Sequence, residues 1–161
     1  MEGGSGGGSV GGEDLFQIAT MIEHLRHDDL GFRVHATKNL GRIARALGEE
    51  RTREELIPFI VDSTDDEDEV LLAMAEAVGG LVDCVGGVEC VYQLLVPLEA
   101  LTACEEGAVR ERAIESIQRV TREMSKGDLV DHFVPFLKRL AGRDWFTTRM
   151  SATALFEQVY R

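Results

Sequence analysis

Positive charge is scarce in this chain: 17 lysines and arginines stand against 29 aspartates and glutamates, a net charge of −12 in 161 residues. A nucleic-acid duplex or an anionic membrane surface asks for the opposite balance, so both are disfavoured as partners and basic protein surfaces are favoured. No apolar run approaches the ~20 residues that span a bilayer. Cysteine is limited to Cys84, Cys90 and Cys104, an odd number without a CxxC pair. Such usage fits idle thiols in a reducing compartment and not a disulfide framework. The expected location is cytoplasmic, with the nucleus as a second compartment. The start of the chain lacks the basic residues and apolar segment of a signal peptide. Residues 1–12 are mostly glycine and serine and read as a flexible tail, either native low complexity or an added linker.

Signatures of catalysis and small-ligand binding are missing as well. The pairs Gly79-Gly80 and Gly86-Gly87 lack the Lys and Ser or Thr of a phosphate loop, and no strand precedes them. They read as helix-packing and helix-end glycines. The acidic run Asp65-Asp66-Glu67-Asp68-Glu69 has neither the central glycine nor the distant glutamate of an EF-hand loop. His24 and His27 are three apart at a helix end with no third ligand nearby, His35 reads as a surface residue and His132 as a helix-start residue. No Ser-His-Asp or Cys-His arrangement can be assembled. The sequence therefore predicts no catalytic residue, no cofactor and no metal ligand, and a protein that is not an enzyme.

What the chain does have is helical periodicity. Beyond Gly12 there is no strand-like alternation, and apolar residues recur at helical spacing, as in Val109, Ala113, Ile117, Val120 and Met124. All three prolines, Pro58, Pro97 and Pro135, sit in similar apolar frames 39 and 38 residues apart. Proline inside an apolar helical run removes a backbone donor and kinks the helix, so its recurrence marks one structural unit used repeatedly. A second marker agrees: Leu40, Val78, Ile117 and Leu155 are spaced 38, 39 and 38, with Ala36, Met74, Ala113 and Ser151 four residues earlier. Phe32, Val70, Val109 and Thr147 stand eight residues before each anchor. The reading is eight helices near 13–26, 30–46, 52–64, 68–85, 88–101, 107–124, 127–141 and 144–160, in four pairs. A unit of about 38–40 residues made of two antiparallel helices, the first one kinked, matches the HEAT class. The expected fold is all-α, a right-handed α-solenoid of about four HEAT repeats (13–48, 49–86, 87–125 and 126–161).

Local signals fit this division. Thr52-Arg53-Glu54-Glu55 reads as a capping box before Leu56-Ile57, and Ser125 as a looser cap before Leu129-Val130. Arg33 and Arg110 hold equivalent positions, where an arginine is expected to pair with an acidic residue on the neighbouring repeat. The turns inside the repeats contain His27-Asp28-Asp29, the acidic run 65–69, Cys104-Glu105-Glu106 and Arg143-Asp144-Trp145-Phe146. Stacking places all four along one edge as a mostly acidic ridge. The acidic run itself reads as partner-facing charge, as a solvated cap on the following helix, or, least well supported, as a metal site.

The words between the period markers are more specific than the period. Residues 50–59 followed by 66–73, and His132-Phe133-Val134-Pro135-Phe136-Leu137-Lys138-Arg139-Leu140-Ala141-Gly142 followed by Asp144-Trp145-Phe146-Thr147, closely resemble the scaffold (A) subunit of protein phosphatase 2A. The resemblance runs from about Asp14 to the last residue. It departs in the glycine-rich tail and at Arg143, a place often held by glycine. Family members stack roughly fifteen repeats, so the resemblance implies an amino-terminal part. It further implies a non-catalytic scaffold whose intra-repeat turns dock regulatory B-type subunits, the catalytic subunit binding repeats outside this chain. The protein-binding positions so implied or placed on the same ridge are Asp28, Asp29, Asp66, Glu67, Asp68, Glu69, Glu105, Glu106, Asp144, Trp145 and Phe146. Trp145 reads either as a binding anchor or as a packing residue at a helix start. Two other functions compete: an importin-like HEAT adaptor for basic protein partners, and a metal-dependent hydrolase built on the acidic run. The apolar end at Leu155-Phe156 and Val159-Tyr160 predicts self-association through an uncovered repeat face.

Overall fold

The computed structural model describes residues 12–142 and Leu155, and the described residues are helices joined by short turns. The chain is an all-α solenoid of HEAT repeats. In the first pair, α1 (Gly12–His24) is followed by α2 (Leu30–Lys38) and α3 (Leu40–Leu47), a single path interrupted at Asn39. The second pair starts with α4 (Glu49–Arg51), a π turn at Thr52–Leu56 and α5 (Ile57–Asp62), and returns as α6 (Asp68–Gly79). A short 3-10 turn at Val82–Cys84 leads to the third pair, a 3-10 segment Val88–Leu94 running into α7 (Leu95–Leu101), then α8 (Gly107–Arg122). Beyond it come α9 (Lys126–Asp128), a π turn at Leu129–Phe133 and α10 (Val134–Ala141).

The periodic anchors are where stacking needs them. Leu40, Val78, Ile117 and Leu155 are all buried, as are Ala36, Met74 and Ala113. The second helices α2, α6 and α8 stack in sequence, and α5, α7 and α10 do the same in a parallel layer. One continuous core of buried aliphatic side chains runs between the layers, with Phe133 and Phe136 at its far end. Phe32, equivalent to the buried Val70 and Val109, is 45% exposed and rests instead against the rings of His24 and His27.

The prolines are accommodated in two ways. Before Pro58 and Pro135 the helix widens by one residue, so the Ile57 N–H bonds the Thr52 carbonyl and the Val134 N–H bonds the Leu129 carbonyl. Widening relieves the clash between the proline ring and the carbonyl four residues back, and a π turn is a recognised site of such insertions. Before Pro97 the chain tightens into a 3-10 helix instead. At each proline the helix changes pitch locally.

Two sequence-based expectations differ from the structure. Thr52 does not cap a helix: the helix already starts at Glu49, Thr52 is fully buried, and its Oγ1 donates to the Ala44 carbonyl at 3.1 Å. Gly48 holds the cap position with φ +87, a conformation that excludes the usual capping side chains. The helix expected over 68–85 stops at Gly79, because the chain turns at Gly80 while still burying Leu81 and Val85. The cap at Ser125 is present, its Oγ accepting from the Asp128 N–H at 3.1 Å. The helix expected over 144–160 lies outside the described residues apart from Leu155.

Candidate functional site: the ridge of intra-repeat turns

Each of the three described turns between the helices of a pair is built by polar side chains folding back on the backbone. In the first turn, Asp29 Oδ1 accepts from the Gly31 N–H at 2.8 Å and the Phe32 N–H at 3.4 Å, starting α2. The Asp29 N–H donates in turn to His27 Nδ1 at 2.9 Å. In the second turn, the Ser63 hydroxyl donates to the Phe59 carbonyl at 2.7 Å, and Asp66 Oδ1 accepts from the Glu67 N–H at 2.7 Å. In the third, Thr102 donates to the Glu99 carbonyl at 2.7 Å and Glu106 Oε1 accepts from the Ala108 N–H at 3.3 Å.

Arginine binds the turns into a row. Arg33 Nη1 donates to the carbonyls of His27 (2.8 Å) and Asp28 (2.9 Å), six and five residues earlier. Arg110 does the same at the same offsets, to Cys104 and Glu105. The second nitrogen of Arg33 crosses to the next repeat and meets Asp66 at 3.1 Å, both side chains less than one-fifth exposed. The expected inter-repeat pairing therefore holds for Arg33. For Arg110 the facing turn, 143–146, lies outside the described residues. The clamp of each arginine on its own turn is not visible in the sequence. The matching positions of Arg33 and Arg110 hint at a shared role, but only the backbone path brings the two carbonyls together.

The second and third turns are neighbours too. Burial pushes the Cys104 thiol up, the negative charge of Asp68 adds to this, and Arg110 opposes it. Cys84 is raised by burial likewise. Both thiols therefore stay protonated and unreactive at neutral pH.

The predicted ridge residues divide into two kinds. Asp29, Asp66 and Glu106 hold the turns together. Asp28, Glu67, Asp68, Glu69 and Glu105 are exposed and have no ion pair among the described residues. Asp144, Trp145 and Phe146 lie outside the described residues. The resulting edge offers closely spaced free carboxylates on a backbone that does not need them. Such a surface can attract and orient a basic protein face. Among the described residues no group of three His, Cys, Asp or Glu side chains could hold a metal.

Links on the opposite layer are not legible in the sequence. Arg139 meets Glu99 with nitrogens at 3.0 and 3.2 Å, and Tyr92 stacks on His132 with ring centroids 3.8 Å apart. A cavity of about 840 Å³ lies beside α1 and α2 and is lined by Phe16, Met21, His24, Phe32 and Arg42 among others. It touches the ridge only at Asp29.

No protein-family model matches the chain. Individual proteins do. The chain is 50% identical over 149 residues to the alpha isoform of the 65 kDa regulatory A-type subunit of serine/threonine-protein phosphatase 2A from Arabidopsis thaliana, covering 92% of this chain and 25% of that protein. It is 48% identical over 160 residues to the beta isoform of the same subunit from Mus musculus (98% and 27%). To the PP2A regulatory A-type subunit of Schizosaccharomyces pombe it is 48% identical over 147 residues (91% and 25%). Over this span, the chain belongs to the family of 65 kDa regulatory A subunits of protein phosphatase 2A. It spans about a quarter of the length of these relatives. Family membership is consistent with the HEAT solenoid described above, and the family's members are named as regulatory subunits.

Proposed function

We propose that this chain is part of a non-catalytic scaffold of protein phosphatase 2A, presenting its intra-repeat ridge to a regulatory B-type subunit. The catalytic subunit is held by repeats outside this span. The observation that carries the reading is identity of about one residue in two to regulatory A subunits over nearly the whole chain. The ridge supplies a physical means. Its exposed carboxylates at positions 28, 67, 68, 69 and 105 face solvent from turns that arginines and capping side chains keep fixed. A partner therefore meets charge already in position, which lowers the ordering cost of docking. The mechanism is geometric: a stack of repeats fixes the distance between a regulatory and a catalytic subunit. An importin-like adaptor for basic cargo would use the same acidic edge, and the identity of the relatives favours the phosphatase assembly.

The test is charge reversal at Glu67, Asp68 and Glu69, which leaves Asp66 and its bond to Arg33 in place. Binding of a purified B-type subunit, titrated by calorimetry at low and at physiological salt, is expected to weaken at least tenfold and to lose much of its salt dependence. Unchanged binding in this variant and in Trp145→Ala would remove the ridge assignment.

A further inference from the structure

Helix α1 packs mostly within its own pair, and a gap remains between it and the second pair. Helix α5 packs on α7 and α7 on α10, whereas α1 leans on α2 and α3 of its own pair. The gap between α1 and the second pair holds a cavity of about 370 Å³ lined by Ile22, Leu25, Leu47, Leu56 and Phe59. A second cavity of about 360 Å³ shares Leu25, Arg26 and Phe59 with the first and opens at Asp62, Asp65 and Asp66. Together they form one groove with an apolar floor and an acidic mouth.

Charge along this groove is unbalanced. Arg51 is committed to Glu55 at 2.9 Å and Arg33 to Asp66 at 3.1 Å. What remains is Glu23, Asp62 and Asp65 against Arg26 alone, three carboxylates to one guanidinium. Arg26 in turn lies over the Phe59 ring, 5.0 Å from its centroid, which shows that a guanidinium fits this face of the groove.

We infer that this groove is a docking site for a short segment of a partner protein that carries an aliphatic or aromatic anchor next to lysine or arginine. The anchor fills the floor between Leu25, Leu56 and Phe59. The cation takes the mouth, where Asp62 and Asp65 are exposed and without an ion pair among the described residues. An acidic segment would meet those carboxylates with its own charge, so it is excluded by repulsion. Asp65 lies in the same turn as the ridge carboxylates, but the apolar floor at Leu25, Leu56 and Phe59 and the carboxylate of Asp62 lie outside that run, so the inference stands whether or not Glu67, Asp68 and Glu69 bind a B-type subunit.

The experiment displays random 12-residue peptides against the whole immobilised chain, then measures synthetic copies of the enriched peptides by fluorescence anisotropy. Enriched sequences are expected to pair an aliphatic or aromatic residue with lysine or arginine a few positions away. Their binding should fall at least tenfold with Ile22→Glu and severalfold with Asp62→Lys combined with Asp65→Lys, while the reversal at Glu67, Asp68 and Glu69 leaves it largely intact. Ile22 is 39% exposed, and a thermal melt checks each variant; the exposed Asp62 and Asp65 give a second route should Ile22→Glu disturb the fold. Failure to enrich any peptide, enrichment of acidic or wholly polar ones, or binding untouched by the groove variants would overturn the inference. So would binding lost only in the ridge variant.

Discussion

Along the second helices, α2, α6 and α8, neighbours stack through aliphatic and small side chains, and α6 meets α8 most closely at Gly79. A Cβ built on Gly79 would lie 2.5 Å from Ser116 Oγ, and that hydroxyl is buried and donates to the Ala75 carbonyl. Along the first helices, α1, α5, α7 and α10, the backbone changes pitch at each proline and one junction stays open as a groove. Both layers share one core. The contrast lies in how they are built: the second layer is set by close helix approach, and the first by backbone that yields.

The largest effect should come from breaking the close approach. Gly79→Val forces a branched side chain against Ser116 and displaces a buried hydroxyl. Overpacking and loss of that bond together should cost about 3 kcal/mol, after a partial gain from removing glycine from a helix. Urea unfolding of the chain measures it, and Ser116→Gly on the same background should restore part of the loss. A double-mutant cycle that came out additive would mean that the two helices do not meet at this point.

An intermediate effect is expected where the layers join. Thr52 reads in sequence like the start of a capping box, yet it is buried inside a π turn with its hydroxyl on the Ala44 carbonyl. Thr52→Val keeps shape and removes one buried hydrogen bond, leaving the carbonyl with one partner fewer. A loss of about 1 kcal/mol is expected, and Thr52→Ser should recover most of it. Were Thr52 a true cap, Thr52→Asn or Thr52→Asp would be well tolerated. In this buried site they should be worse than valine, a difference that the same unfolding assay reads directly.

That example shows where sequence reading succeeds and fails in this protein. The period is legible because each repeat buries the same position, so Leu40, Val78, Ile117 and Leu155 are selected by one constraint. Helix ends are less legible. Leu81 and Val85 stay buried beyond the last turn of α6, so apolar spacing continues where the helix does not, and the glycines at φ +109 and +90 mark the true break at Gly86 and Gly87. On the ridge, charge announces the turns but not their division of roles. Asp66 and Glu67 are neighbours of the same chemistry. Only the backbone direction decides that Asp66 binds Arg33 while Glu67 faces solvent.

The smallest effect should follow from removing a proline of the first layer. In a regular helix interior proline costs about 3 kcal/mol, from a lost donor and a ring clash. At Pro58 the π turn has already moved the clashing carbonyl aside, and the residue is exposed, so little of that penalty remains to be recovered. Pro58→Ala regains a donor and helix propensity, but it also frees the unfolded chain, which works against stability by roughly 0.4–1 kcal/mol. The two effects nearly offset, and the unfolding free energy should move by less than about 1 kcal/mol. The structural readout should be clearer than the energetic one: with alanine in place the Ile57 N–H can exchange its bond to Thr52 for an ordinary helical partner, changing amide exchange across 52–58. A stabilisation near 3 kcal/mol, about the full interior-proline penalty, would instead mean that the first layer carries proline as stored strain, and the contrast between a close-packed layer and a yielding one would fall with it.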